Sequence, residues 1–358
     1  MKKALKITLK AICIFLCIVL VTVGGYLAYV FIDYHRIGDT DITVGGTGAD
    51  IVDKNSYTIT SYNIGFGAYE SDYGFFMDGG SESWAWSEER LDKNLKNIAN
   101  FLNTQKSDFY FVQEVDIDST RSYHFDEREY LKEALGKYSF TFAQNYDSPF
   151  LFYPFIKPHG ASKSGIMTFS FANIEKGQRF ELPIETGFTK FLDLDRCYSK
   201  SYVKLKDGKY LVLYNFHLSA YTSDGKIANS QLEIILKDID NEYKKGNYCV
   251  AGGDFNKDIL GDSSKYFGKS DIEYTWAQPL PDGILDGYDV TLVAPIDEEN
   301  PVPTCRNADS AYHKGQYVLT IDGFLVTNNI KVKSSEVIDT KFAYSDHNPV
   351  KMEFELVK

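Results

Sequence analysis

YCVAGGDFN, residues 248–256, is an apolar run that stops at two glycines and then sets a carboxylate and an amide, Asp254 and Asn256, at its end. An apolar run of that length reads as a buried strand, and polar groups just past such a strand are where α/β folds usually place their sites. Just upstream, Leu232, Ile235, Leu236 and Ile239 fall at helix spacing, and before them YLVLYNFHLSAY (210–221) reads as a strand carrying His217 near its end. The same order occurs earlier. YTITSYNIGF (57–66) alternates like a strand, Leu91, Leu95, Ile98 and Leu102 mark a helix, and DFYFVQEV (108–115) returns to strand. The chain thus reads as an internal β-α-β duplication, with Asn63 and Glu114 at strand ends in the first copy and His217 and Asp254 in the second.

The chain has 358 residues, 44% of them hydrophobic and 25% charged, enough apolar surface for a core, which excludes a mainly disordered chain. Its net charge of −12 argues against gripping nucleic acid through a basic face, because such binding needs Lys and Arg to displace phosphate counterions. A small or metal-shielded anionic substrate remains compatible.

The N-terminus is a separate object. Residues 1–10 hold four lysines, and residues 11–32, AICIFLCIVLVTVGGYLAYVFI, hold no charge, long enough as a helix to cross a hydrocarbon layer of ~30 Å. The lysine flank places the N-terminus in the cytoplasm and the bulk of the chain outside, at the cell membrane. A cleaved signal peptide usually has a shorter apolar core and a small-x-small site; no clear Ala-x-Ala follows Gly24, Gly25 and Ala28, so the run reads as an uncleaved anchor. Residues 33–55, rich in Gly, Thr and Asp, read as a linker, and residues 56–358 as one domain. Only Cys197, Cys249 and Cys305 lie beyond the span, so at most one disulfide can form there.

Within the domain the strand-end residues are Asn63, Glu114, His217, Asp254 and Asn256, joined by Asp322 in LTIDGFLV and by the adjacent Asp346 and His347. Singly, each has a structural use: an amide caps turns, a carboxylate ends a strand in solvent, and Asp254 after two glycines makes a tight turn. Together they form a set that a core does not ask for.

These residues carry a resemblance. SYNIG, FVQEVD, NFHLSA, GGDFN, TIDGFLV and YSDHNPV follow one another as in the endonuclease/exonuclease/phosphatase superfamily, whose members include pancreatic-type deoxyribonucleases, inositol polyphosphate 5-phosphatases and neutral sphingomyelinases. The resemblance implies that family's fold, a four-layer α/β/β/α sandwich of two mostly antiparallel sheets, here behind one transmembrane helix. It implies a metal-dependent phosphoesterase using Mg²⁺ or Mn²⁺, with Glu114 as principal ligand and Asn63 and Asp346 nearby. Asp254 would orient or deprotonate the attacking water, Asn256 would hold it or a phosphate oxygen, His347 would contact the phosphate with Asp322 as its partner, and His217 would bind phosphate or assist the leaving group.

Cationic help is also expected. Arg196 is the candidate phosphate contact, against a reading as a surface arginine paired with Asp193 or Asp195; Lys163 and Arg306 are weaker candidates, and His124, His159 and His313 match no catalytic motif. The aromatic stretch FFMDGGSESWAW (75–86) offers Trp84 and Trp86 to lipid headgroups, to single-stranded bases or to the domain's own flank. The chemistry does not separate nucleic acid, inositol phosphate and phospholipid headgroup as substrates, nor monoester from diester. No obligate protein partner is implied. A binding or scaffold module that kept the fold and lost catalysis is the rival reading, and intact motif residues speak against it.

Overall fold

The computed structural model describes residues 2–34, 36–50, 54–187, 190, 194–220, 225–269 and 276–357. Two seven-stranded sheets form its centre. In spatial order the first sheet holds β1 (Thr40–Ile42), β7 (Ile174–Glu181), β8 (Cys197–Lys204), β9 (Tyr210–His217), β10 (Tyr248–Asp254), β14 (Asp322–Thr327) and β11 (Val290–Val293). The second holds β15 (Ile330–Val337), β16 (Val350–Leu356), β3 (Tyr57–Asn63), β4 (Phe109–Asp116), β6 (Gly160–Ser170), β5 (Ser139–Leu151) and β2 (Val44–Gly46). A short ribbon pairs β12 (Cys305–Arg306) with β13 (Val318–Leu319). The helices are α1 (Lys2–Asp33), α2 (Glu88–Gln105), α3 (Glu127–Ala134), α4 (Lys226–Lys244) and the single-turn α5 (Ser264–Phe267).

The duplication is visible in the strand directions. β3 and β4 are parallel and joined through α2; β9 and β10 are parallel and joined through α4. All other strand pairs among the described residues are antiparallel. The hairpins are exchanged: β7–β8 follows the first unit in the chain but extends the sheet of the second, and β15–β16 follows the second but extends the sheet of the first.

Burial on both faces explains why the central strands are apolar at consecutive positions. Ile59, Phe109 and Phe111 of one sheet meet Leu211, Leu213 and Phe324 of the other in the middle of the sandwich. The alternate residues Val212, Tyr214 and Phe216 cover Leu232, Ile235, Leu236 and Ile239 of α4. On the opposite flank, Tyr110 and Val112 cover Ile98 and Leu102 of α2 and Leu131 of α3. The layers are therefore α2 with α3, the second sheet, the first sheet, and α4, the four-layer sandwich that the resemblance implied. Cys197, Cys249 and Cys305 are separate buried thiols.

The stretch expected as a linker differs. β1 and β2 add an edge strand to each sheet, and two arginines hold the segment that precedes them. Arg36 Nη2 donates to the carbonyls of Leu182 (2.7 Å) and Asp195 (2.9 Å), and Arg179 Nη1 donates to those of Gly38 (3.1 Å) and Ile37. Main-chain pairing at a sheet edge needs no apolar pattern, so a Gly- and Thr-rich composition conceals it. Residues 35 and 51–53 of this stretch lie outside the described residues. α1 itself contains a window of mean hydropathy 2.6 with none of it buried, long and apolar enough to cross a membrane.

Candidate functional site

Sheet register places three of the candidate residues in one row. His217 on β9 stands opposite Asp254 on β10, and Asp254 stands opposite Asp322 on β14. Asp322 opens an antiparallel strand, so it reaches the same sheet end as the last residues of two parallel ones. This close approach depends on Gly253, with φ of +141°: a Cβ there would lie 2.0 Å from the Phe216 carbonyl oxygen and 3.2 Å from Gln113 Nε2 of the facing sheet.

The second sheet supplies Asn63, the last residue of β3, and Glu114, which sits in a bulge of β4 where the register shifts between Val112 and Val115. Its φ of +56° is unusual for a residue with a side chain, and Asn256 (+48°) and Arg196 (+34°) share that conformation. Such strain concentrates at sites where the surrounding structure over-determines the backbone. The loop before β16 brings Asp346 and His347, tied to β3 by the Ser345 hydroxyl, which donates to the Asn63 carbonyl (2.8 Å).

Asp254 is the centre of the resulting network. Its Oδ2 accepts from Asn63 Nδ2 at 3.0 Å and lies 3.4 Å from His217 Nε2 and 3.7 Å from His347 Nε2, while its Oδ1 accepts from the Asn256 main-chain N–H at 2.8 Å. His347 Nδ1 meets Asp322 Oδ2 at 2.8 Å. Asn256 Nδ2 donates to the Leu218 carbonyl (2.8 Å).

Electrostatics divides the groups. Burial pushes the carboxyls of Glu114 and Asp346 up, and burial, with the Asp322 charge adding and His347 opposing, pushes Asp254 up to about 7. His217 is held well below its ordinary value by burial and by the Arg196 cation. Burial also opposes the charge on His347, but the Asp322 carboxylate overrides it and holds that imidazole well above the usual range. One histidine is thus kept neutral and the other charged.

Buried carboxylates drawn together at Glu114, Asp346 and Asp254 are costly unless a cation balances them, and hard oxygen donors suit Mg²⁺ or Mn²⁺. The donor set therefore fits the expected ion. Asn63, the third expected ligand, stands beside two of these carboxylates. Its Oδ1 accepts from the Gly65 N–H (3.0 Å), which turns its NH₂ toward Glu114 Oε1 (3.2 Å) and Asp254. It joins the two carboxylates. Cys305 also approaches Asp346 and His347, and burial pushes its thiol up to about 12.

Arg196 is 2% exposed, lines the cleft and donates to the His217 carbonyl (3.4 Å), so the surface reading fails. Asp195 faces Arg36 instead (3.8 Å), and Asp193 lies outside the described residues. Arg306 lines the cleft but spends its guanidinium on the carbonyls of Ser310, Glu70 and Tyr73. Lys163 is exposed on β6, and His124 and His313 are exposed as well.

Of two further lining residues, Arg121 escaped the sequence reading and His159 was set aside by it. Arg121 forks onto Asp116 (2.8 and 3.0 Å), lies 3.9 Å over the Phe66 ring and is the cation that most opposes the rise at Glu114. The signal was the buried Asp116 that ends FVQEVD, which needs a cation close by. His159 packs its ring against Phe75 and Phe76 and reaches the cleft only through the β5–β6 connection, which no local pattern announces.

Comparisons with known proteins agree with this architecture. Residues 60–347 match the model of the Endonuclease/Exonuclease/phosphatase family. No curated protein matches. Among solved structures the chain is similar to ANGEL2, described as a 2′,3′-cyclic phosphatase in complex with adenosine-2′,3′-vanadate, with 16% identity, 90% of this chain and 100% of that one covered, and a TM-score of 0.57. It is similar also to an endonuclease/exonuclease/phosphatase from Beutenbergia cavernae (17% identity, 85% and 72% covered, TM-score 0.56). A third is the human Nocturnin catalytic domain with bound sulfate (16% identity, 84% and 94% covered, TM-score 0.53). At such identities these likenesses speak to fold. The family match runs from β3 through both β-α-β units to His347, and on it the chain belongs to the endonuclease/exonuclease/phosphatase family of phosphoester-cleaving hydrolases.

Proposed function

We propose that this chain is a divalent-metal-dependent phosphoesterase, held at the cell membrane by α1 with its domain on the outer face. The observation that carries the reading is Asp254 Oδ2 set among Asn63 Nδ2, His217 Nε2 and His347 Nε2 at 3.0 to 3.7 Å, beside the Glu114 carboxylate. Glu114 and Asp346 would hold Mg²⁺ or Mn²⁺, with Asn63 positioning Glu114. Bound there, the ion polarises a phosphate oxygen as a Lewis acid.

The remaining chemistry belongs to side chains. Asp254, a carboxylate beside two imidazoles, orients the attacking water and accepts its proton. The Asn256 amide holds that water or a phosphate oxygen. His347, kept charged by Asp322, faces the negative charge that grows on phosphate, and neutral His217 binds phosphate or attends the leaving oxygen. Arg196 adds a buried cation at the same wall.

The test is turnover of bis(p-nitrophenyl) phosphate and of p-nitrophenyl phosphate by the full-length protein, with and without Mg²⁺. Metal-dependent release of nitrophenol, lost in Asp254→Asn, is the expected result. Turnover indifferent to chelation overturns the metal, and equal turnover in Asp254→Asn overturns the mechanism.

A further inference from the structure

Outside α1, the most exposed large apolar side chains among the described residues gather in one loop. From the last residues of β5 into the connection to β6 the chain reads SPFLFYPFI (148–156) without a charge, and Phe152, Tyr153, Phe155 and Ile156 are 51, 62, 84 and 101% exposed. A contiguous apolar patch of this kind marks an interaction surface. The aromatic stretch singled out in the sequence behaves otherwise. Trp84 donates to the Pro158 carbonyl and packs on Tyr123, while Trp86 stands edge-on to Tyr73, so both serve the domain's flank.

The loop is fastened to α1. The Tyr26 hydroxyl donates to the Phe150 carbonyl (3.0 Å), the Tyr29 hydroxyl accepts from the Phe150 N–H (3.0 Å), and the Tyr26 and Phe152 rings meet edge-on at 5.1 Å. Tyr26 lies six residues before Ile32, the last residue of the charge-free run, about 9 Å along a helix axis. A loop fixed beside it shares its depth in whatever surrounds α1. Arg36 and Arg179 pin the segment that follows to the domain within a few residues of the end of α1, which keeps the loop beside the helix.

The other side of the loop reaches the cleft. The His159 N–H donates to the Tyr153 carbonyl (3.1 Å), and Phe76 packs on both Tyr153 and His159 at 5.7 Å. Phe75, Met77 and His159 line the cleft, with Met77 about half exposed. Apolar surface thus runs from the membrane helix through the loop to the rim of the site.

We propose that residues 150–156 insert into the bilayer beside the C-terminal end of α1 and hold the cleft mouth at the lipid surface, so that the phosphoester it takes is carried on a lipid. This rests on the anchored phosphoesterase reading above. The occupant is lipid because the loop abuts a helix segment that is apolar on every side, for which hydrocarbon is the matching environment. Lys157 and the Tyr153 hydroxyl then fall where headgroups and water meet.

The experiment uses the full-length protein in phosphatidylcholine–phosphatidylglycerol vesicles. Ile156→Trp should add emission that lipids brominated in their acyl chains quench beyond the baseline of the three native tryptophans. Two esters with the same scissile bond measure presentation: methyl p-nitrophenyl phosphate in water and a diacylglyceryl p-nitrophenyl phosphate in the vesicle. The exposed double variant Phe155→Ser/Ile156→Ser should keep parental turnover of the soluble ester and lose about tenfold on the lipid ester. Added emission indifferent to bromolipid overturns the insertion, and equal effects of the double variant on both esters overturn the lipid presentation. A parent that cleaves neither diester overturns a lipid diester as the substrate, a parent that also leaves p-nitrophenyl phosphate intact overturns the phosphoesterase reading, and in either case the quenching decides the loop by itself.

Discussion

At the scale of single residues, Asp254 and His347 face each other across 3.7 Å, and the proposed mechanism sets them on opposite sides of one reaction. Removing either should cost on the order of 1000-fold in turnover with little change in melting, and the double variant Asp254→Asn/His347→Ala should be scarcely worse than either alone. Independent, multiplicative losses would separate the two. Glu114→Gln keeps the shape of the bulge and removes a charge, so metal-activation curves should shift by roughly 10–100-fold while the fold persists. An unshifted curve removes Glu114 from the metal. His159 supplies a test away from the chemistry. Burial, and then the Arg121 cation, push it down to about 4, so the folded chain refuses a proton that the unfolded chain takes up below about 6.5. Stability from this group is therefore present at neutral pH and lost as pH falls from 6.5 toward 4, about 2 kcal/mol between pH 7 and 5. Urea midpoints at those two pH values should differ less in His159→Phe than in the parent; an identical slope sinks the assignment. Asn63, His217, Asp254 and Asp322 were legible because each ends or opens an apolar strand, whereas Glu114, read as a strand end, sits in a bulge with β4 continuing to Asp116. Arg121 and His159 were not, because what brings them to the cleft is the pairing of β4 with β6 and a loop closing over it, contacts that no spacing encodes.

At the scale of elements, the two β-α-β units were readable because burial on both faces imposes apolar runs on β4, β9 and β10 and a one-sided stripe on α2 and α4. Their surroundings were not. Strand order depends on which distant segment reaches an edge, and periodicity alone left a parallel sheet and an antiparallel one equally open. β1, β2, β12 and β13 are two or three residues long, too short for any period to appear. Gly253 is where local and distant demands meet, since its Cβ site is filled by the Phe216 carbonyl oxygen. Gly253→Ala should cost at least ~3 kcal/mol in chemical denaturation, because β10 must move from β9 to admit the methyl group. A variant as stable as the parent would mean that the strands are not this close.

At the scale of the whole molecule, the lysine flank and the charge-free run predict sidedness. Protease added to intact cells should digest the domain and spare the N-terminal segment; a full-length domain protected in the cytosol overturns the topology. The exchanged hairpins bear on what happens before that state is reached. β3 closes on one side with β4, a near neighbour in the chain, but on the other with β16, residues 350–356, which lie far along the chain beyond both β-α-β units. Until β16 arrives, β3 is an open edge of its sheet, although every strand of the other sheet precedes β16 in the chain. An unfinished edge is a template for the wrong strand. Correct assembly of this fold is therefore a race between the arrival of β16 at β3 and the capture of that edge by a stranger, and a chain without residues 350–356 has no strand of its own with which to win it.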